Sequence, residues 1–135
     1  MLYSGVSSLF LTPRITDRVK PFKDGRRVIA YHQTGTAVGT ADGPFDNASI
    51  YLMGTTVEDA DDNRIADVKL IQLISADGSI VWAYGSNAKG EPEHQYIFRF
   101  KSGMGRFQYI DGRFHEEGLT ENRVDRYERV SCSYT

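Results

Sequence analysis

Three histidines, at positions 32, 94 and 115, are the groups best suited to proton transfer near neutral pH. A strand over residues 93–101 would place His94 on the same face as the aromatic residues Tyr96, Phe98 and Phe100. A histidine among aromatic rings at the mouth of a cavity could serve as a general acid or base. The alternative is a solvated histidine at a strand end, beside the loop at 89–93.

His32 and Tyr31 are neighbours on a predicted strand, so they point to opposite faces and one of them should reach the interior. Tyr51 shares a face with polar residues at 47 and 49, and that face could either orient a substrate carbonyl or phenol or meet solvent. We predict a catalytic set of His94, His32 and Tyr51. The histidines are alternatives for the proton-transfer group, and the tyrosine is a hydrogen-bond donor to a developing oxyanion.

The predicted substrate-binding residues come from strands next to this set. Trp82 and Tyr84 alternate on the strand expected beside His94, which predicts an aromatic wall. Arg126 and Glu128 share a face of the last strand, where they could form a buried pair that holds a substrate carboxylate or an exposed pair of little energetic weight. The full predicted binding set is Tyr31, Trp82, Tyr84, Tyr96, Phe98, Arg126 and Glu128.

Metal and nucleotide motifs are incomplete in this chain. The acidic segment 58–63 has carboxylate spacing like a calcium loop, but Arg64 stands where that loop requires glycine and Leu70 where it requires glutamate. Gly103 and Gly105 begin a pattern like a dinucleotide fingerprint, yet the third glycine is missing. We therefore predict a solvated hairpin loop and a turn at these places, with no metal and no organic cofactor.

The overall charge argues against nucleic acid and anionic lipid as partners. The chain of 135 residues has a formal net charge of −2 and a sequence pI near 5.9. Cys132 is the single cysteine, so no disulfide can form within the chain. The first residues lack the pattern of a signal peptide, and no stretch is apolar enough to span a bilayer. We expect one domain in a soluble, cytoplasmic protein.

Short runs of β-branched and aromatic residues, separated by glycine and Asx residues, predict an all-β fold. Four Asp-Gly pairs, at 24, 42, 77 and 111, predict hairpins with type I′ turns. An irregular segment is expected over 1–25, although 6–20 could supply one more strand in which Pro13 permits only an edge or a bend. The expected strands lie near 27–38, 47–57, 65–75, 79–85, 93–101, 105–116 and 123–134. Closure removes exposed edges, so we predict an antiparallel eight-stranded barrel over 26–135.

Two glycine-containing segments carry a family resemblance. Residues 35–41, followed by Gly43-Pro44-Phe45, and residues 103–114, which begin Gly-Met-Gly-Arg-Phe, resemble the small allene oxide cyclase-like barrels and the related dirigent-like barrels. The resemblance covers about 30–135. It implies a calycin-like barrel with an apolar cavity, a hydrophobic small-molecule ligand, no cofactor, and a homo-oligomer such as a trimer or dimer.

Three functions remain open at this point. The leading one is a cofactor-independent enzyme that binds a hydrophobic small molecule, with aromatic compounds among the candidates, in the barrel and catalyses isomerisation, cyclisation or a lyase-type step. The second is a binding or dirigent-type barrel that performs no chemistry itself. The third is a structural or interaction domain whose interior is filled by its own side chains.

Overall fold

A computed structural model of the chain describes residues 3–39, 45–90, 97–110, 112–121 and 126–134. These residues form nine strands and one 3₁₀ helix, and none of them belongs to a helix long and apolar enough to cross a membrane. The strands are β1 (Tyr3–Leu11), β2 (Ile15–Pro21), β3 (Arg27–Val38), β4 (Ala48–Glu58), β5 (Arg64–Ile74), β6 (Ile80–Ala88), β7 (Ile97–Met104), β8 (Gly112–Glu121) and β9 (Arg126–Tyr134), and the 3₁₀ helix is Gly105–Phe107.

All strand pairs are antiparallel, and the order across the sheet is β1-β9-β8-β7-β6-β5-β4-β3-β2. β1 has a second pairing, because residues 8–11 also pair with residues 35–38 of β3. The first half of β3 pairs instead with β2. Thus β1 pairs with the second half of β3 and β2 pairs with the first half, so that the two strands follow one another along the same edge of β3.

Side chains alternate between a buried and an exposed face along the central strands. On β4, every second residue from Ala48 to Thr56 is buried, and the residues between them are exposed. The buried apolar residues of β4–β7 meet Phe45 and Phe107, whose rings stack with centroids 5.5 Å apart. The apolar core therefore lies on one face of the sheet, between these strands and the 3₁₀ helix.

The predicted all-β, antiparallel class is correct, and β3 begins and ends at the predicted residues. β6 extends to Ala88, beyond the predicted end at 85. The prediction of a strand from 105 is wrong at its start, because Gly105 has a φ of +67° and opens the 3₁₀ helix. β8 begins at Gly112.

The first 25 residues contain two strands where an irregular segment was predicted. Pro13 lies between β1 and β2, as expected for a residue that cannot donate a backbone hydrogen bond. Backbone contacts with β3 hold the chain before and after this bend. Thr12 donates its N–H to the Thr34 carbonyl at 2.8 Å, and Ile15 pairs with His32.

The Asp-Gly hairpins at 24 and 77 form as predicted, but the type I′ geometry is wrong. Gly25 and Gly78 have positive φ, whereas Asp24 and Asp77 do not. The N–H of Gly78 bonds to the Ser75 carbonyl, as in a type I turn closed by a left-handed glycine. Each aspartate instead accepts a backbone N–H two residues on, which favours this geometry.

Candidate functional site

One end of the sheet's buried face carries polar side chains in place of the apolar core. We call Tyr31, Thr56, Asp67, Lys69 and Asn87 the polar cluster; each has at most 8% of its surface exposed. On β5 the same inward alternation continues to Ile71 and Leu73, so a single strand passes from polar to apolar surroundings. Buried polar groups are the informative exceptions in a protein interior.

Tyr31 reaches the cluster because a glycine lies beside it. Tyr31 pairs with Gly54 of β4, which pairs in turn with Lys69 of β5. A Cβ atom at position 54 would lie 2.1 Å from Cζ of Tyr31, so the ring occupies the space that any other residue would fill. The phenol thereby crosses β4 and meets Asp67 on the next strand.

Asp67 accepts the hydrogen bonds that connect Tyr31, Thr56 and Arg14. The Tyr31 hydroxyl lies 3.0 Å from Oδ1 and 3.1 Å from Oδ2, and the Thr56 hydroxyl donates to Oδ1 at 3.0 Å. Nη2 of Arg14 lies 3.4 Å from Oδ2. Only 1% of the Asp67 side chain is exposed, so these donors replace the water that a buried carboxylate has lost.

Arg14 enters the cluster from the link between β1 and β2. Thr12 is fixed to β3, since the buried Gln33 donates to its carbonyl oxygen at 2.8 Å. Pro13 then turns the chain, and the Arg14 guanidinium lies 4.2 Å from the centre of the Tyr31 ring. About a third of the Arg14 side chain (34%) remains exposed, so it connects the buried carboxylate with solvent.

The electrostatics keep Tyr31 in its neutral form. Burial raises the pKa of the Tyr31 hydroxyl well above its ordinary value; the Arg14 charge lowers it in part, and the Asp67 carboxylate raises it again. A buried, neutral phenol beside a carboxylate remains a hydrogen-bond donor over the whole physiological pH range.

A cavity of about 210 Å³ opens over the cluster. Its lining combines an arginine, an aromatic ring, an aliphatic side chain and hydroxyl groups: Arg14, Thr16, Ile29, Tyr31, Thr56 and Glu58. Glu58 adds a carboxylate to this lining and pairs with Arg27 at 3.2 Å. We call this space the mouth cavity; it can hold a small molecule that contacts Arg14.

His32, from the predicted catalytic set, lies on the opposite face from Tyr31. Its Nδ1 is 2.7 Å and 2.9 Å from the two carboxylate oxygens of Asp17, and its ring stacks on that of Tyr51 with centroids 6.1 Å apart. Tyr51 is itself 41% exposed. The structure thus brings two of the three predicted catalytic residues together, but away from the buried face.

The predicted aromatic wall divides between the two faces. Phe98 is buried with Phe100, whereas Tyr84 is exposed and the indole of Trp82 donates to Gln72 at 3.2 Å on the outward face. The expectation that Trp82 and Tyr84 line the interior is therefore wrong. Small residues, Val81 and Ala83, occupy the inward positions of β6 and leave room for the phenylalanines of β7.

The remaining predicted residues are His94, Tyr96, Arg126 and Glu128. His94 and Tyr96 lie outside the described residues. Arg126 and Glu128 lie on β9 and pair in register with Leu11 and Leu9, but their side chains are outside the described part of the chain.

Three residues of the polar cluster's hydrogen-bond network were not predicted: Arg14, Thr56 and Asp67. A signal for Asp67 is present in the sequence, because Asp67 and Lys69 are charged residues at alternate positions of a strand rich in apolar residues. The opposite face carries a polar residue too, Gln72, so both faces mix polar and apolar side chains and the pattern predicts neither face as the buried one.

The described side chains include no group of three His, Cys, Asp or Glu residues that could hold a metal ion. The hydrogen bonds around Asp67 bring together one carboxylate, the guanidinium of Arg14 and the hydroxyl groups of Tyr31 and Thr56. No model of a known protein family matches the chain, and no curated protein matches it significantly.

Proposed function

We propose that β1 and β3–β9 form an eight-stranded barrel of the allene oxide cyclase-like and dirigent-like type. The pairing of β1 with both β9 and β3 supports this, since it joins the two sides of the sheet. The two segments that carry the resemblance also meet, through the stacked rings of Phe45 and Phe107. The single cysteine accords with a cytoplasmic location.

For this barrel we propose the binding of a small molecule, with an apolar or aromatic body and an anionic group, in the mouth cavity. The observation that carries the proposal is Arg14, whose partly exposed guanidinium both lines the cavity and contacts the buried Asp67. A guanidinium has five N–H donors, so it can bind the carboxylate of a ligand while it keeps this contact. The Tyr31 ring and Ile29 offer apolar surface to the rest of the ligand.

The contacts of Asp67 favour recognition over proton abstraction. Three protein donors reach its two oxygens: the Tyr31 hydroxyl, which lies close to both, the Thr56 hydroxyl at Oδ1 and the Arg14 guanidinium at Oδ2. A base must have an oxygen within reach of the proton that it removes. Asp67 therefore acts as a positioning residue that holds Arg14 and Tyr31 in place.

Catalysis by isomerisation, cyclisation or a lyase-type step is a second proposal, and Tyr31 is the residue that favours it. A neutral buried phenol at the wall of a cavity is the kind of donor that stabilises an oxyanion as it forms. In this proposal the ligand oxygen would share the Tyr31 proton with Asp67, and no cofactor takes part.

A thermal-shift screen with hydrophobic carboxylates, phenols and unsaturated fatty-acid derivatives tests the binding proposal. A carboxylate at about 100 times its Kd should stabilise the protein by about 2.7 kcal/mol, which is several degrees at this chain length. Arg14→Gln should abolish the shift. Mass spectrometry of the bound compounds would then detect any turnover.

Arg106→Gln is the matched control. Arg106 also pairs with an aspartate, Asp77 at 3.4 Å, and lies over a ring, Phe107 at 5.1 Å, but it does not line the mouth cavity. Its variant should keep the ligand shift. A screen without any shift would contradict binding and favour a structural domain with a filled interior.

A homo-oligomer, such as a dimer or trimer, remains a proposal for the assembly. Met104 and Tyr109 support it, because they expose 55% and 87% of their surface next to the 3₁₀ helix. Contiguous apolar surface that is exposed in the single chain is typical of association surfaces.

A further inference from the structure

Residues of opposite charge line the mouth cavity. Arg14 lines it with a guanidinium that lies 4.2 Å from the centre of the Tyr31 ring. Glu58 lines it too, and 21% of the Glu58 side chain is exposed. Binding of an anionic group involves only the arginine, so the carboxylate of Glu58 has no part in it. This carboxylate is the lining group whose role is still unexplained.

The strand register places the two charges at opposite ends of the cavity. Glu58 lies two residues after Thr56 on β4, and Gly54 lies two residues before it. Two residues of a strand span about 7 Å and return to the same face. Gly54 pairs with Tyr31, whose ring lies beside the Arg14 guanidinium. The cation therefore lies toward one end, the carboxylate lies toward the other, and Thr56 is between them.

Glu58 retains hydrogen-bonding capacity for a ligand. Nη2 of Arg27 contacts its Oε1 at 3.2 Å, but a carboxylate offers about four lone-pair sites. Arg27 also pairs with Asp62, so one guanidinium is shared between two carboxylates. Arg27 and Arg64 pair in register with Glu58, but neither is among the described residues that line the cavity. Glu58 is thus the charged group that this end presents to a ligand.

The surface between the two charges suits a compact apolar body. Ile29 pairs with Thr56 in the middle of the lining, and the Tyr31 ring lies beyond it. The volume of about 210 Å³ is below the roughly 300–1,000 Å³ of sites for drug-sized ligands, so a single ring is a suitable size. A ligand with only a carboxylate would leave Glu58 without a cationic group from the ligand. A ligand with only an ammonium group would leave Arg14 without an anionic one.

We propose that the ligand of the mouth cavity is zwitterionic, with a carboxylate that binds Arg14 and an ammonium group that binds Glu58. The two charges lie at opposite ends of an apolar body of about one ring. This inference rests on the proposed binding function and narrows its ligand class to aminocarboxylates with separated charges.

Isothermal titration calorimetry of the full chain with a matched pair of ligands tests the proposal. 4-(Aminomethyl)benzoate carries both charges across one ring, and 4-methylbenzoate has the same ring and carboxylate without the ammonium group. Wild type should bind 4-(aminomethyl)benzoate about fivefold more tightly, the upper value for a partly exposed ion pair. Glu58→Gln, whose amide can still bond to Arg27, should abolish this preference and bind 4-methylbenzoate at least as tightly as wild type does.

Asp62→Asn is the matched control variant. Asp62 also pairs with Arg27, but it is not among the described residues that line the cavity. Its variant should therefore keep the preference for the zwitterion. Loss of the preference in Asp62→Asn as in Glu58→Gln would overturn the assignment of the ammonium group to Glu58.

This proposal and the binding function fail in different ways. If wild type binds 4-methylbenzoate as tightly as the zwitterion, the zwitterionic ligand is overturned while anion binding by Arg14 stands. If wild type binds neither compound, the binding function is overturned, and this inference with it. Arg14→Gln should weaken both ligands alike, and unchanged binding of the zwitterion in that variant would overturn the proposed orientation.

Discussion

The hydroxyl of Tyr31 lies 3.0 Å from Oδ1 of Asp67, although a whole strand separates β3 from β5. The contact is possible only because Gly54 leaves the space above β4 to the tyrosine ring. One missing side chain on the middle strand thus allows a buried carboxylate on its neighbour to be satisfied. The stability and the proposed binding function depend on this arrangement.

Gly54→Ala should destabilise the protein, because the new Cβ would displace the Tyr31 ring from Asp67. We expect a loss of about 1–3 kcal/mol in the free energy of unfolding, the usual cost of overpacking. Urea denaturation measures it. Thr55→Ala, at the next and exposed position, should change stability by less than about 0.5 kcal/mol.

Gly54→Ala should lower the free energy of unfolding by less in a Tyr31→Ala background, because the ring that the new methyl group meets is then absent. Equal costs in the two backgrounds would show that the Tyr31 ring is not what restricts position 54.

Tyr31→Phe should cost about 1–3 kcal/mol, because it removes one of the two hydroxyl donors to the buried Asp67. Asp67→Asn should also destabilise, since it removes the charge that Arg14 contacts. In a double-mutant cycle the two changes should couple by more than about 0.5 kcal/mol, as expected for residues of one network. Additive effects would contradict a direct interaction.

Alkaline pH should reveal the raised pKa of Tyr31. Above pH 10 the unfolded chain loses the tyrosine proton and the folded protein keeps it, so stability falls as pH rises. The contribution is fully present below pH 10 and is lost at about 1.4 kcal/mol per pH unit above it. Comparison of the free energy of unfolding of wild type and Tyr31→Phe between pH 9 and pH 11 isolates the contribution of Tyr31. Parallel curves would show that the Tyr31 pKa is the same in both states.

Acidic pH should lower the stability of the fold through Asp77 in the β5–β6 hairpin. The Ser75 hydroxyl and the Ser79 N–H lower the pKa of Asp77 to about 2. A lowered pKa stabilises the fold above the unfolded value near 4, and that contribution is lost as pH falls toward 2. Wild type should therefore lose its advantage over Asp77→Ala between pH 5 and pH 2, as measured by the Tm of both proteins. A constant difference in Tm would contradict it.

The sequence predicts strands well here because hairpin turns separate them. The turn at Ser75–Ser79 fixes β5 against β6, and the alternation of β4 needs no tertiary information. The buried face of β6 was not predictable, because Trp82 and Tyr84 are larger than the inward Val81 and Ala83. Side-chain size alone would predict that the aromatic face of β6 is buried, but the phenylalanines of β7 already fill the interior volume beside β6. Arg14 was missed for a related reason: only the fold brings the β1–β2 link beside β5.

The β4–β5 loop offers a last prediction, at Asp62. This residue has a φ of +64°, in the left-handed region that favours glycine, and its carboxylate pairs with Arg27. Asp62→Gly relieves the strain and loses an exposed ion pair of small value, so stability should stay level or rise by up to about 1 kcal/mol. Asp61→Gly, at a neighbouring exposed position with ordinary φ, should lower it by a few tenths to about 1 kcal/mol through chain entropy. Thermal denaturation of the two variants side by side measures the difference, and the opposite order would mean that the pair with Arg27 outweighs the backbone strain.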